Sequence, residues 1–306
     1  MNRIPLSSIL KESKAFRYPN VANERGICMH KKGKHFKRGI GYHAMVLPLL
    51  ILYVTFIIYP FLSTIFYSFT DYSSSKLFDF SFVGLKNYLS VFETKNQLDA
   101  IAHTLKYAII ITVVQAIIAI ALAVFLNVKM KTTNILRSIF FFPAVMSPLV
   151  VGYIWSFLFS TSSYGPINNI LTGLGLEKIN FFGDPKIALY AVIFTQIWQW
   201  SGYNMVIVLA NLQTIDKTYY EAAEVDGATA WQKFSRITLP LLYPSMNVVV
   251  VTSLIGGLKV YDIILSTTNG GPFYATTTIM QSIIGQAIGG GQYGRGAALS
   301  ILFLLI

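Results

Sequence analysis

The chain has 306 residues, of which 54% are hydrophobic and only 12% charged, with a mean hydropathy of +0.56. That composition excludes a soluble globular domain of this size and reads as an all-α, polytopic transmembrane protein. A net charge of +11 does not mark a nucleic-acid binder, because ten of the 24 Lys and Arg residues fall within the first 40 positions while the aromatic residues sit in the apolar stretches.

Residues 1–40 read as a basic cytoplasmic tail, a topogenic signal whose lysines also suit an anionic lipid surface. They do not form a cleavable signal peptide, since no apolar stretch follows the early charges before Ile40. The single cysteine, Cys28, has no partner for an internal disulfide, and beside His30 and His35 it makes a poor metal site.

The 306 residues accommodate about six spans of ~20 residues. Span one runs from Ala44 to Phe69, where Pro48 and Pro60 kink the helix without stopping it crossing, and the loop from Asp71 to Asp99 is external. Span two covers Ile101 to Leu126 and returns to a short basic loop carrying Lys129, Lys131 and Arg137, which the positive-inside rule places in the cytoplasm. Span three, Ile135 to Phe159, contains Pro143 and Pro148. A long polar external loop follows at 160–186, then span four from Ile187 to Leu212.

Span five extends from Pro240 to about Leu265, and Thr267 to Pro272 form an external turn rich in glycine and proline. A short apolar helix from Ala275 to Ile288 precedes Gly289-Gly290-Gly291. The last span begins near Tyr293 and has about 13 residues left, too few to cross ~30 Å of hydrocarbon, so a continuation beyond Ile306 is expected.

Between spans four and five lies a polar stretch, residues 217–236, that reads as two short helices hinged at Gly227. Thr218 and Glu221 stand in capping-box spacing, and Thr229 and Gln232 repeat it. Gly227 supplies the left-handed residue that closes the first helix. Ala222, Ala223 and Ala228 lack bulk, so another protein could approach the backbone closely. Glu221 has two readings, a cap satisfied within the elbow or an anion presented to a partner.

No HExxH, GxSxG or phosphate-binding glycine loop occurs, and His30, His35, His43 and His103 are scattered. Nothing marks a catalytic or metal site. Any ATP hydrolysis that drives this chain belongs to another subunit, which binds the ATP and Mg while this chain holds no cofactor. Span four places Gln196, Gln199, Ser201, Asn204 and Asn211 among Trp198, Trp200 and Tyr203, and span five carries Gly256, Gly257, Lys259, Tyr261 and Asp262. Polar groups inside spans face a cavity or another helix. Amides mixed with aromatic faces suit a sugar; interhelical packing is the competing reading, and Lys259 with Asp262 reads most simply as an i,i+3 ion pair.

Glu221-Ala222-Ala223, three residues, Gly227, nine residues, Ile237, one residue and Leu239-Pro240 match without a gap the EAA signature of the membrane subunits of binding-protein-dependent ABC importers. Leu239-Pro240-Leu241-Leu242, the turn from Thr268 to Pro272 followed by Ala275-Thr276, and the stretch from Tyr293 to Ser300 resemble the carbohydrate-uptake branch, similar to maltose-type and glycerol-3-phosphate-type permeases. The similarity covers 41–306, which is thereby a permease domain. It lacks the large inserted external domain of the maltose-type subunit and carries a longer basic tail.

The resemblance implies the type I permease fold, a multi-pass subunit of a bacterial cell membrane with a cytoplasmic N-terminus, a heterodimer with a second similar permease, two ATPase subunits docked on the elbows, and an external solute-binding protein. It assigns Glu221, Ala222, Ala223, Gly227, Ile237, Leu239 and Pro240 to ATPase coupling. It places Trp200, Ser201, Gly202, Tyr203, Asn204, Gly257, Lys259 and Tyr261 along the path of a sugar moved by alternating access. A permease for a non-sugar solute such as glycerol-3-phosphate or an amino acid, and a polytopic membrane enzyme, are the alternatives.

Overall fold

The computed structural model describes residues 45–128 and 131–305; the basic tail assigned to residues 1–40 lies outside them. The chain divides into two units, Met1–Leu62 and Ser63–Ile306. The described part of the first belongs to helix α1, Met45–Ser68, which is apolar enough and, at 24 residues, long enough to cross a membrane. One π-type turn, Val54–Ile58, interrupts it just before Pro60. Proline has no N–H and its ring crowds the carbonyl four residues back; a widened turn at that place relieves both.

The second unit is built on α2 (Lys86–Glu93), α3 (Lys95–Leu126), α4 (Thr133–Val145), α5 (Pro148–Leu158), α6 (Pro166–Gly173) and α7 (Ala188–Leu212). It continues with α8 (Thr218–Val225), α9 (Ala230–Leu241), α10 (Tyr243–Leu258), α11 (Asp262–Thr267), α12 (Ile279–Ile284) and α13 (Tyr293–Leu305). Its described residues are helical throughout, apart from loops and two isolated bridges.

The 32-residue α3 is the central post. Along it Ala108, Ala116, Ala119 and Ala123 are buried, with Thr104 and Thr112 on the same side returning their hydroxyls to the carbonyls four residues back. Small side chains at this helical spacing let α7 and α10 approach closely, the usual means by which helices associate in lipid. Two apolar clusters result. One gathers Tyr107, Ile111, Trp155, Val192 and Ile263; the other gathers Ala119, Leu126, Met205, Leu209, Leu242 and Val249.

Span three is not one helix. α4 and α5 meet at 101° across Met146 and Ser147, both extended, because Pro148 disfavours helical backbone before it. Span five is likewise divided. α9 and α10 meet at 65° around Leu242, and α10 ends at Leu258, so Lys259–Tyr261 separates it from α11. The apolar helix expected from Ala275 starts only at Ile279. Ahead of it Asn269, Gly270, Phe273 and Tyr274 adopt positive φ around a cis Gly271-Pro272 bond.

Candidate functional site

Two regions carry the residues singled out by sequence, and the elbow is the more sharply built. α8 ends in a complete Schellman arrangement: the Ala228 N–H donates to the Ala223 carbonyl at 2.8 Å and the Gly227 N–H to that of Glu224 at 3.0 Å. Gly227 has φ +73, and no atom lies within 4 Å of where its Cβ would stand. The glycine is therefore required by backbone conformation alone.

At α9 the expected capping box is present. The Gln232 N–H donates to Thr229 Oγ1 at 3.3 Å and the Thr229 N–H to Gln232 Oε1 at 2.7 Å. At α8 the expectation fails: Thr218 does not cap. Asp216 does so instead, its Oδ1 accepting from the Thr218 N–H at 3.0 Å, which holds the Asp216 carboxyl below the usual range. Glu221 is thereby released from the role of reciprocal cap, and its carboxylate stands exposed in the first turn.

Two bonds tie the arms of the elbow together. Lys233 Nζ reaches Glu224 Oε1 at 2.6 Å, and the hydroxyls of Tyr220 and Thr238 lie 2.9 Å apart. Ile237, Leu239 and Pro240 follow on α9, where a second π turn, Phe234–Thr238, precedes Pro240 just as Val54–Ile58 precedes Pro60. Ala222 and Ala223 stay on the outer part of α8, with Ala222 exposed and Ala223 half-buried.

The second region is a recess of about 230 Å³ between α3, α7, α10 and the α10–α11 break. Trp200, Tyr203, Asn204, Lys259 and Tyr261 line it, with Gln196, Asp262 and the unexpected Gln115 and Ser253. Asn204 Nδ2 donates to Gln115 Oε1 at 3.2 Å and to Ser253 Oγ at 3.1 Å, and Gln115 Nε2 donates to the Gln196 carbonyl at 3.2 Å. The Trp200 and Tyr203 rings meet edge to face at 5.7 Å. Gln115 could have been picked out as an amide inside the otherwise apolar run from Ala108 to Leu126.

The structure does not bring Ser201, Gly202 and Gly257 into this recess. Ser201 returns its hydroxyl to the Ile197 carbonyl at 2.6 Å. A Cβ on Gly202 would stand 1.8 Å from the Phe140 carbonyl oxygen, and one on Gly257 would stand 2.7 Å from Ala108 Cα. Both glycines mark helix crossings, α7 over α4 and α10 over α3.

Lys259 and Asp262 form no ion pair either. Helical i,i+3 geometry is lost between them, since Tyr261 adopts φ −144 and ψ −59. The open Val260 carbonyl accepts instead from Thr278 Oγ1 at 3.2 Å. The break thus turns an expected i,i+3 ion pair into two separate charges lining one recess. Among the described residues, no group of three His, Cys, Asp or Glu side chains is placed to hold a metal ion.

Residues 115–306 match the family described as the binding-protein-dependent transport system inner membrane component. The chain belongs to that family. The permease is 34% identical over 276 residues to the trehalose/maltose transport system permease protein MalF of Thermococcus litoralis, covering 90% of this chain and 92% of the relative. It is 33% identical to the multiple sugar-binding transport system permease protein MsmF of Streptococcus mutans, over 87% and 90% of the two chains. Its fold matches a chain of a bacterial alginate ABC transporter, solved with an alginate pentasaccharide-bound periplasmic protein, with a TM-score of 0.77 at 27% identity over 89% and 91% of the chains. The type I permease fold is thus that of this protein, a membrane component of a binding-protein-dependent ABC transport system.

Proposed function

We propose that this permease carries a sugar or oligosaccharide through the recess beside the α10–α11 break, driven by separate ATPase subunits that grip the elbow. The observation that carries the reading is the recess itself. Trp200, Tyr203 and Tyr261 offer ring faces, while the side chains of Gln115, Asn204 and Ser253, joined to the Gln196 backbone carbonyl, form a connected set that can exchange partners with sugar hydroxyls. The printed names of the relatives, which transport trehalose, maltose and multiple sugars, support it.

In this reading the exposed Glu221 meets a basic residue of the ATPase, and Ala222 and Ala223 leave room for close approach. The cross-bonded arms then pass the movement through α9 to α10. A second, similar permease completes the pathway, a solute-binding protein delivers the sugar from outside, and the elbow and N-terminus face the cytoplasm of a bacterial cell.

The deciding experiment reconstitutes the permease with its partner permease, ATPase and binding protein and measures sugar-stimulated ATP hydrolysis and uptake. Trp200→Ala and Asn204→Ala are expected to lower uptake with the membrane-inserted amount unchanged, and Glu221→Lys to uncouple hydrolysis from uptake. Normal uptake in the recess variants would remove the assignment of the path.

A further inference from the structure

At the elbow end of the bundle a second cavity, of about 530 Å³, lies where α3, α4 and α7 meet the root of α8. It is lined by Asn127, Asn134, Arg137, Gln213, Lys217 and Tyr220 with apolar neighbours, and no carboxylate is among the lining residues. The nearest acid in sequence, Asp216, turns one carboxylate oxygen to the Thr218 N–H and, among the described residues, pairs with neither Arg137 nor Lys217. Arg137 is held in place by a 2.9 Å bond from Nη2 to the carbonyl of Leu126, the last residue of α3. Among the described residues no carboxylate pairs with either cation, so Arg137, Lys217 and three amides present donors around one opening.

The cavity's height decides what kind of anion it meets. Leu126 and Leu212 are the final residues of α3 and α7, so the opening sits where the apolar helices end, at the level of lipid headgroups. Val128 on its rim is 59% exposed, and Ile135 on the adjoining α4 is 63% exposed. Apolar side chains beside a cationic, amide-lined opening fit a molecule with a phosphate at one end and acyl chains at the other.

We propose that Arg137 and Lys217 bind the phosphate of an anionic phospholipid, which braces the root of the elbow against the α3–α4 corner. Lys217 and Tyr220 belong to the elbow side and Arg137 to α4, so an occupied cavity holds the two together. The inference is independent of which solute the permease carries.

The test is native mass spectrometry of the full-length permease purified from vesicles of phosphatidylglycerol mixed with phosphatidylcholine. The wild type is expected to retain phosphatidylglycerol selectively, and Arg137→Gln and Lys217→Gln to lose about fivefold of that retention each. Lys217 is exposed, so Lys217→Gln reports on binding even if Arg137→Gln disturbs the α3–α4 corner, and Arg137→Lys is expected to keep most of the retention. Displacement of the lipid by inorganic phosphate would assign the cavity to the free anion and overturn the lipid reading. Equal retention of both lipids, or unchanged retention in Lys217→Gln, would overturn the site altogether.

Discussion

The hydroxyls of Tyr220 on α8 and Thr238 on α9 stand 2.9 Å apart, joining the two arms of the elbow across its glycine hinge. With the Lys233–Glu224 pair, this makes the elbow one body. A lever of this kind transmits a push only if its arms do not fold independently.

Tyr220→Phe removes that bond and leaves the ring in place. The expected cost is about 1 kcal/mol, the net worth of a neutral hydrogen bond. The functional signature is a raised ratio of ATP hydrolysed to solute taken up, measured in proteoliposomes with the partner subunits. An unchanged ratio would show that the Tyr220–Thr238 bond is not needed to pass the motion.

Gly227→Ala introduces no clash, because the space around its Cβ position is empty, but forces an L-residue to φ +73. The expected penalty is about 1–2 kcal/mol, falling mainly on the elbow. Gly227→Asn should be milder, since asparagine visits this region more readily. Proteolytic nicking of the segment on intact inverted vesicles compares the two.

The two crossing glycines are expected to behave differently from their neighbour. Gly202→Ala and Gly257→Ala push a methyl into backbone at 1.8 Å and 2.7 Å, whereas Gly256 has open space. Overpacking typically costs about 1–3 kcal/mol. Apparent melting temperatures of the detergent-solubilised permease should fall for the first two substitutions and stay unchanged for Gly256→Ala.

Acid should loosen the elbow. The bond from Lys233 holds the Glu224 carboxyl below its ordinary value of 4.5. A carboxylate whose pKa is depressed by folding adds stability above the unfolded value and loses it as the pH falls through the folded one. Both groups are partly solvated, so the effect at neutral pH is small and salt weakens it further. Glu224→Gln should therefore alter elbow protection in hydrogen exchange at neutral pH and be silent in strong acid.

Apolar runs and the spaced pattern from Glu221 to Pro240 were enough to read the all-α membrane class, the elbow and the family. Each of these is a local property of the chain: burial in lipid is decided by composition over about 20 residues, and the Thr229–Gln232 cap and the turn at Gly227 by near neighbours. Competition between equivalent local choices was decided elsewhere. Asp216 and Thr218 could both cap α8, and the folded chain uses the aspartate.

Tertiary packing alone fixed what the polar residues of the spans face. Gly202 and Gly257 serve helix crossings because Phe140 and Ala108 happen to lie over them, while Gln115 enters the recess from the mostly apolar half of α3. Pro148 announced a bend but not its size: at the 101° corner between α4 and α5 the Met146 carbonyl finds a donor in Gln199 of α7, and at the break after Leu258 the Val260 carbonyl finds one in Thr278 ahead of α12. These donors lie 53 and 18 residues away in sequence, and only the folded chain brings them to the gap.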